Sequence, residues 1–362
     1  MSDSAVLDLP STREEAWRWS DLSGLEALAE APHSAAHEPA MPFLGEEGPR
    51  LVFVDGTLNS GASTLGPISV EQLDLATDHP LGRQATGLGW SLTLGREHAT
   101  APVQIVHIAT GGANHLPGRI VLEEDAVASI TETFIGSGWS NRLTRIELAR
   151  SARLMRSVRL LQDDGFVSIR DEAEIGQGAS LVSVFLGAGG MDSRIDGALT
   201  LTGTGAFGEM GGALLTSGKQ RQECAVAVRH EAEGGSSRQI WRAVAADKST
   251  ASLAARVEVA RRAQKTDGEQ SLRGLLLART ATVNLKPELE IFADDVKCAH
   301  GATVGELDAR ALFYLESRGI EPSRAKALMT RAFVADAIDR IGDEAVREAF
   351  AADAEVWLEA AL

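Results

Sequence analysis

The sequence predicts a mainly β protein, a solenoid flanked by N-terminal and C-terminal helical segments. From about residue 50 to about residue 295, Val, Ile and Leu alternate with Ser, Thr and Arg in short runs, each closed by Gly, Asp or Asn. Period-2 alternation is the mark of a strand with one buried face. Helical periodicity is hard to find between about 100 and 295, and it returns after Gly301. Many short strands at fairly even spacing suit a sandwich, a barrel or a solenoid. An unbroken stretch of about 200 residues that alternates as stacked rungs would favours the solenoid, although no strict repeat is visible. The expected organisation is a helical segment and linker over 1–45, a β core over 46–302 and a helical segment over 303–362.

In chain order, Ser11 and Thr12 followed by Glu14 and Glu15 give the start of a capping box. Leu22, Leu25 and Leu28 continue at helical spacing beyond Trp17 and Trp19, and the Ala/Pro-rich stretch AEAPHSAAHEPAMP ends that helix. The strand series runs LVFV (51–54), IVHIA (105–109), RLMRSVRLL (153–161), FVSI (166–169), SLVSVFL (180–186), ALTLT (198–202), RVEVA (256–260), GLLLA (274–278) and LEIF (289–292). In the tail, Leu307, Ala311, Leu312 and Leu315 share one stripe, which Gly319 and Pro322 terminate. Further stripes follow through Leu328, Met329, Ala332, Phe333 and Ala337, and through Val346, Ala349, Phe350 and Trp357.

Composition narrows the function. A formal charge of −16 argues against a nucleic-acid binder, which needs a basic face. The longest basic cluster, Arg256 to Lys265, is interrupted by Glu258 and reads as a solvated face. Two cysteines make no disulfide framework and fit a reducing cytoplasm. The opening MSDSAVLDLP lacks the features of a signal peptide, and no apolar run approaches the ~18 residues of a membrane span.

Several motifs reduce to structure. Gly203 to Gly208 matches G-x-G-x-x-G, but the glycine-broken EMGGALLTSG follows where a dinucleotide site needs a helix, so it reads as a turn. Gly218-Lys219-Gln220 lacks the Ser or Thr and the upstream glycine of a P-loop, so the chain has no nucleotide site of its own. The eight histidines form no metal-binding motif: His33 and His37 read as solvated linker residues, and His107, amid Ile105, Val106 and Ile108, as a satisfied strand residue. Cys224 reads as a small buried hydrophobe.

Cys298-Ala299-His300 stands apart. Upstream, Leu289, Ile291 and Ala293 are apolar while Glu288, Glu290 and Asp294 are polar. If that strand persists, Cys298 and His300 share its outer face, ~6.6 Å apart. Thiolate and imidazole both suit iron, zinc and copper, but a closed site needs about four ligands and this chain has no second Cys/His cluster. The site is then transient or completed by another chain. A Cys–His nucleophile pair oriented by Asp294 or Asp295 is the enzymatic alternative.

Residues 263–320, above all KPELEIFADDVKCAHGATVGELD, closely resemble the C-terminal core of the SufB/SufD family, scaffold-complex proteins of the SUF iron–sulfur cluster assembly system. PSTREEAWRWSDL (10–22) is similar to the family's entry helix, and LVFVDG (51–56) to a family strand. Of the two types, K-C-A-H-G and QKTDGEQS (264–271) resemble SufD. Residues 57–104 depart from the family pattern and look abbreviated. The resemblance implies a right-handed parallel β-helix and a non-enzymatic subunit. It implies pairing with SufB through β-helix ends and docking of the SufC ATPase on the C-terminal helices, about 303–362. It also implies that His300, supported by Cys298, faces a nascent Fe–S cluster or iron at the SufB interface. No cofactor would be held stably by the chain alone, ATP would act only through SufC, and the family's flavin association belongs to the whole complex. Two alternatives are a homodimeric solenoid interaction protein and an enzyme acting on an acidic polysaccharide. For the second, Arg153, Arg156 and Arg159 are the candidate groove, but their spacing of three alternates faces.

Overall fold

A computed structural model describes residues 7–34, 41–45 and 48–362. His37 and the first residues, Met1 to Val6, lie outside the described residues. The chain is a parallel β-solenoid of about 8 turns with few flanking helices. Strand β1 (Arg50–Val54) opens one sheet, and β2 (Thr57–Leu58) folds back antiparallel on it. In the second sheet β3 (Ile68–Leu73) runs antiparallel to β4 (Gly87–Leu94). All later strand pairings are parallel. β5 (Val103–Ala109) and β6 (Ala113–Leu122) lead to β7 (Val127–Leu148), which pairs in the first sheet by its first half and in the second by its last. The bend needs glycine: Gly136 sits at φ 84°, and a Cβ there would lie 2.1 Å from the Ala109 carbonyl oxygen.

Beyond it the strands alternate between sheets. The first sheet stacks β8 (Arg153–Leu160), β10 (Ser180–Gly187), β12 (Phe207–Thr216), β14 (Ser236–Ala245), β16 (Asp267–Leu276) and β18 (Lys297–Glu306). The second stacks β9 (Asp164–Ile175), β11 (Asp192–Leu201), β13 (Arg221–His230), β15 (Thr250–Val259) and β17 (Thr282–Ile291). Each run read as a strand in the sequence overlaps one of these, some by running one or two residues past its end. The G-x-G-x-x-G stretch is a turn leading into β12, a strand where a nucleotide site would need a helix. Residues 57–104, which depart from the family pattern, supply the antiparallel strands β2 and β3.

Inward side chains such as Phe53, Ile130, Leu181, Met210, Cys224, Trp241 and Leu253 fill the lumen as one cluster. Burial pushes the Cys224 thiol well up, as befits a packed hydrophobe. The lumen is not wholly apolar. Glu132 accepts from Arg156 Nε at 2.8 Å and pairs with His107 Nε2 at 3.0 Å, while Arg156 also pairs with Asp171. Arg142 Nε donates to His107 Nδ1 at 3.2 Å, so His107 is the tautomer that carries its proton on Nε2. Burial would raise Glu132, but Arg156 and His107 hold it down to about 2. Burial pushes Asp171 up to about 6, with Arg156 only partly offsetting it. Thus Arg156 points inward, whereas Arg159 lies on the outer face and is sealed there by Asp353. Arg156 and Arg159 therefore lie on opposite sides of the wall.

The termini cover parts of the outer wall. The continuous N-terminal helix expected from the capping box is not formed. Ser11 N–H does donate to Glu14 Oε1 at 3.0 Å, but only a 3₁₀ turn, Glu15–Trp17, and a short helix α1 (Leu25–Ala29) follow. Trp17, Leu22 and Leu25 instead pack against Leu81 and Trp139, so tertiary packing overrides the local helix signal. At the other terminus come α2 (Ala309–Ser317), α3 (Pro322–Ile338) and α4 (Glu344–Ala361). Val334, Ile338, Phe350, Trp357 and Leu358 lie on Val184, Leu186, Leu215 and Val244 of the first sheet's outer face. Arg159 clamps Asp353 of α4 at 2.7 and 2.9 Å, Arg340 clamps Glu209 at 2.7 and 2.8 Å, and Arg242 pairs with Asp336 of α3. No described helix is long and apolar enough to cross a membrane.

Candidate metal-facing site at the open end of the solenoid

Strands β17 and β18 form the last rung. β17 pairs only with β15, and β18 only with β16, so among the described residues each has a free edge. Burial drops accordingly: β16 alternates buried and exposed positions, while β18 is exposed at all positions but Cys298, which is half-buried.

The direction of the Cys–His pair differs from the sequence expectation. The strand does not persist from Leu289 to His300, because β17 ends at Ile291 in one sheet and β18 begins at Lys297 in the other. Within β17 the odd positions do face inward, with Leu285 and Leu289 packed against the core. The corner over residues 292–296 resets the parity. In β18 Cys298 aligns with Gly268, His300 with Gln270 and Ala302 with Leu272, and Gln270 and Leu272 are buried in the lumen. Partners in a parallel ladder share a side, so Cys298 and His300 face the lumen, not the outer wall. His300 is exposed because no further rung covers it.

The two side chains are not equivalent. Cys298 packs against the core cluster above Gly268, where an added Cβ would lie 3.4 Å from its Sγ, an ordinary contact. Burial, with Asp267 adding, raises the thiol above its ordinary value against a backbone contact from Gly268. A thiolate ligand or nucleophile must first be deprotonated, which disfavours Cys298 for either task. Nor is there a triad: Asp295 N–H bonds Gln264 Oε1 at 3.0 Å, and among the described residues neither Asp294 nor Asp295 hydrogen-bonds His300 or Cys298. Among the described residues no group of three or more His, Cys, Asp and Glu could hold a metal. The mouth therefore presents an accessible imidazole beside a protonated thiol, an incomplete donor set.

Beneath His300 lies a pair of amides that was not singled out in the sequence. Gln270 Nε2 donates to Gln239 Oε1 at 2.8 Å and to the Glu288 carbonyl at 3.2 Å. Their signal was a polar residue on the inward parity of an otherwise apolar strand face, as in QIW and QSL. Of the remaining histidines, His230 bonds Ser237 Oγ at 2.9 Å inside the lumen, and His33 is half-exposed beside Asp55 at 3.3 Å rather than freely solvated. A second exposed surface lies next to the mouth. Helix α2 buries no residue; Phe313 and Tyr314 are 71% and 55% exposed, Tyr314 with the Arg318 guanidinium 4.4 Å from the centre of its ring.

Comparison with known proteins places this arrangement. A family model described as SUF system FeS cluster assembly, SufBD core domain, matches residues 105–333. The iron–sulfur cluster assembly protein SufD of Escherichia coli is 26% identical over 94% of this chain and 87% of its own length. A SufBD family protein of Synechocystis is 25% identical over 92% of this chain and 84% of its own. One of Mycobacterium bovis is 26% identical over 99% and 91%.

Proposed function

Because the chain belongs to the SufBD family of the SUF iron–sulfur cluster assembly system and is SufD-like, we propose that it is a non-catalytic subunit of a scaffold built with SufB and SufC. The uncovered last rung carries this reading. Its free edges offer backbone groups for pairing with the end of a SufB solenoid, and that partner would complete the donor set that Cys298 and His300 leave open. His300 is the group that meets iron or the nascent cluster, which is the cargo of the complex and not a resident cofactor. Cys298 supports it and contributes once a neighbouring metal lowers the cost of deprotonation. The SufC ATPase docks on the C-terminal helices, where Phe313 and Tyr314 of α2 are exposed and α3 and α4 are clamped to the solenoid wall. ATP acts through SufC alone. The organisation proposed is an N-terminal covering segment, a β core and a C-terminal docking segment.

In the reconstituted three-protein complex, His300→Ala lowers iron uptake and cluster formation at least tenfold, and Cys298→Ser lowers them less. Unchanged uptake with His300→Ala would remove the ligand role. The same free edges favour a homodimer of the isolated chain, and addition of SufB then replaces it, which native mass measurement with and without SufB follows.

A further inference from the structure

We propose that Gln270 is a positioning residue for His300: its Oε1 accepts an imidazole N–H, fixes one tautomer and turns the other ring nitrogen out of the mouth. The orientation of the amides is determined by their partners. Gln239 Nε2 donates to two backbone carbonyls, Val226 at 3.1 Å and Arg256 at 3.3 Å, so its oxygen must face the next rung. There Gln270 Nε2 takes that oxygen and the Glu288 carbonyl, which uses both amide hydrogens. Each amide thus points its oxygen toward the open end, and the ladder finishes on an acceptor. Gln270 is 1% exposed, and its Oε1 has no hydrogen-bond partner. Buried acceptors without partners are rare, and each calls for a missing donor.

The residue in register with Gln270 on the next rung is His300, and adjacent strands lie ~4.8 Å apart. The other inward residues of that rung are a thiol, a weak donor, at Cys298 and a methyl group at Ala302. Among the described residues the His300 side chain makes no hydrogen bond, so its imidazole is free to turn an N–H toward Gln270 across that spacing. A neutral imidazole that donates from one nitrogen presents a lone pair on the other, and such outer partners orient metal-ligating histidines generally. Deeper in the lumen the same logic already operates at His107, where Arg142 and Glu132 engage the two nitrogens.

The hydrogen bond concerns the free chain; its benefit to iron binding rests on the ligand role proposed above. The test is nitrogen-15 NMR of the full chain labelled at histidine, at a pH where exposed imidazoles are neutral, with His300 signals identified from His300→Ala. The wild-type chain shows a single His300 tautomer. Gln270→Met, similar in length and without an acceptor, shows the mixture of a free imidazole, and Gln270→Glu, which keeps an acceptor oxygen, retains the single form. A free-imidazole mixture in the wild type overturns the proposal even if neither variant folds, and so does an unchanged spectrum in a folded Gln270→Met. In the reconstituted complex Gln270→Met lowers iron uptake about tenfold. If His300→Ala leaves uptake unchanged while the tautomer shift is observed, the ligand role fails and the positioning contact stands.

Discussion

The solenoid treats its two ends differently. At the N-terminal end, β2 and β3 fold back antiparallel on the first strands, and Leu51, Phe53, Trp90 and Leu92 are buried behind them. At the C-terminal end, β17 and β18 stop with free edges, and lumen-facing positions such as His300 and Ala302 are exposed. Unpaired edges invite association, so of the two ends the bare one offers its backbone groups to the partner proposed above. Polar lumen groups follow the same division. In the covered half Arg156 pairs with Glu132 and Asp171, and Glu132 with His107, whereas at the mouth, among the described residues, Cys298 and His300 stand without a charged partner.

The largest effect should come from breaking the covered half. Arg156 is fully buried between Glu132 and Asp171, so Arg156→Met strands two carboxylates without their cation. Losing one partner of a buried ion pair costs roughly 3–5 kcal/mol. Equilibrium denaturation in urea at pH 7 should show a loss of that size. A loss below about 1 kcal/mol, as for a surface ion pair, would mean that water reaches Arg156 and that the lumen is no better closed there than at the mouth.

Acid should have a smaller effect on the covered interior. Burial lowers His230 to about 4 from its ordinary 6.5, so the folded chain holds it neutral where the unfolded chain binds a proton. Its contribution is complete above about pH 6.5 and is lost as pH falls toward about 4. At pH 4.5 the loss is on the order of 2 kcal/mol. Asp171 runs the other way, since its raised pKa favours the folded state below about pH 6. Comparison with His230→Gln, whose amide can still reach Ser237, isolates the histidine: the variant's stability should fall less steeply between pH 6.5 and 4.5 in denaturation measurements. Equal slopes would show that His230 is not held neutral.

Much of this division was legible in the sequence, and the remainder failed for identifiable reasons. Period-2 runs such as SLVSVFL located strands because inward positions of a solenoid must be apolar. The spacing of Arg153, Arg156 and Arg159 correctly put Arg156 and Arg159 on opposite faces. It could not reveal the partners of Arg156, because Glu132 and Asp171 are 24 and 15 residues away and meet it only when rungs stack. Cys298 and His300 were found as a pair on one face, but the face was inverted, because five residues of corner between β17 and β18 carry no parity. The Ser11–Glu14 signal announced a helix that Trp17 abandons for Arg194, whose guanidinium lies 3.7 Å from the centre of its ring. The role of residues 57–104 was hidden for a different reason: antiparallel strands that close an end do not repeat the pattern of the rungs they cover.

The smallest effect on stability should come at the mouth, where it is most informative. Ala302 faces the lumen from β18 and is exposed. Substitutions at exposed sites away from special features usually stay within about 0.5 kcal/mol, so Ala302→Arg should leave the unfolding free energy of the isolated chain almost unchanged. An arginine there would nevertheless crowd the surface proposed for another solenoid end, and a charge on an open edge opposes strand addition. Its effect should appear in pairing: at least a tenfold weaker association with SufB in a binding titration, with stability as a monomer preserved. A destabilisation above about 1 kcal/mol that deepens with protein concentration would mean something else. The mouth would then already be closed in the isolated protein by a second copy, and the open end would be a property of the single chain and not of the protein in solution. Normal stability together with normal SufB binding would instead move the partner surface away from the last rung and, with it, the reason for placing His300 at an interface.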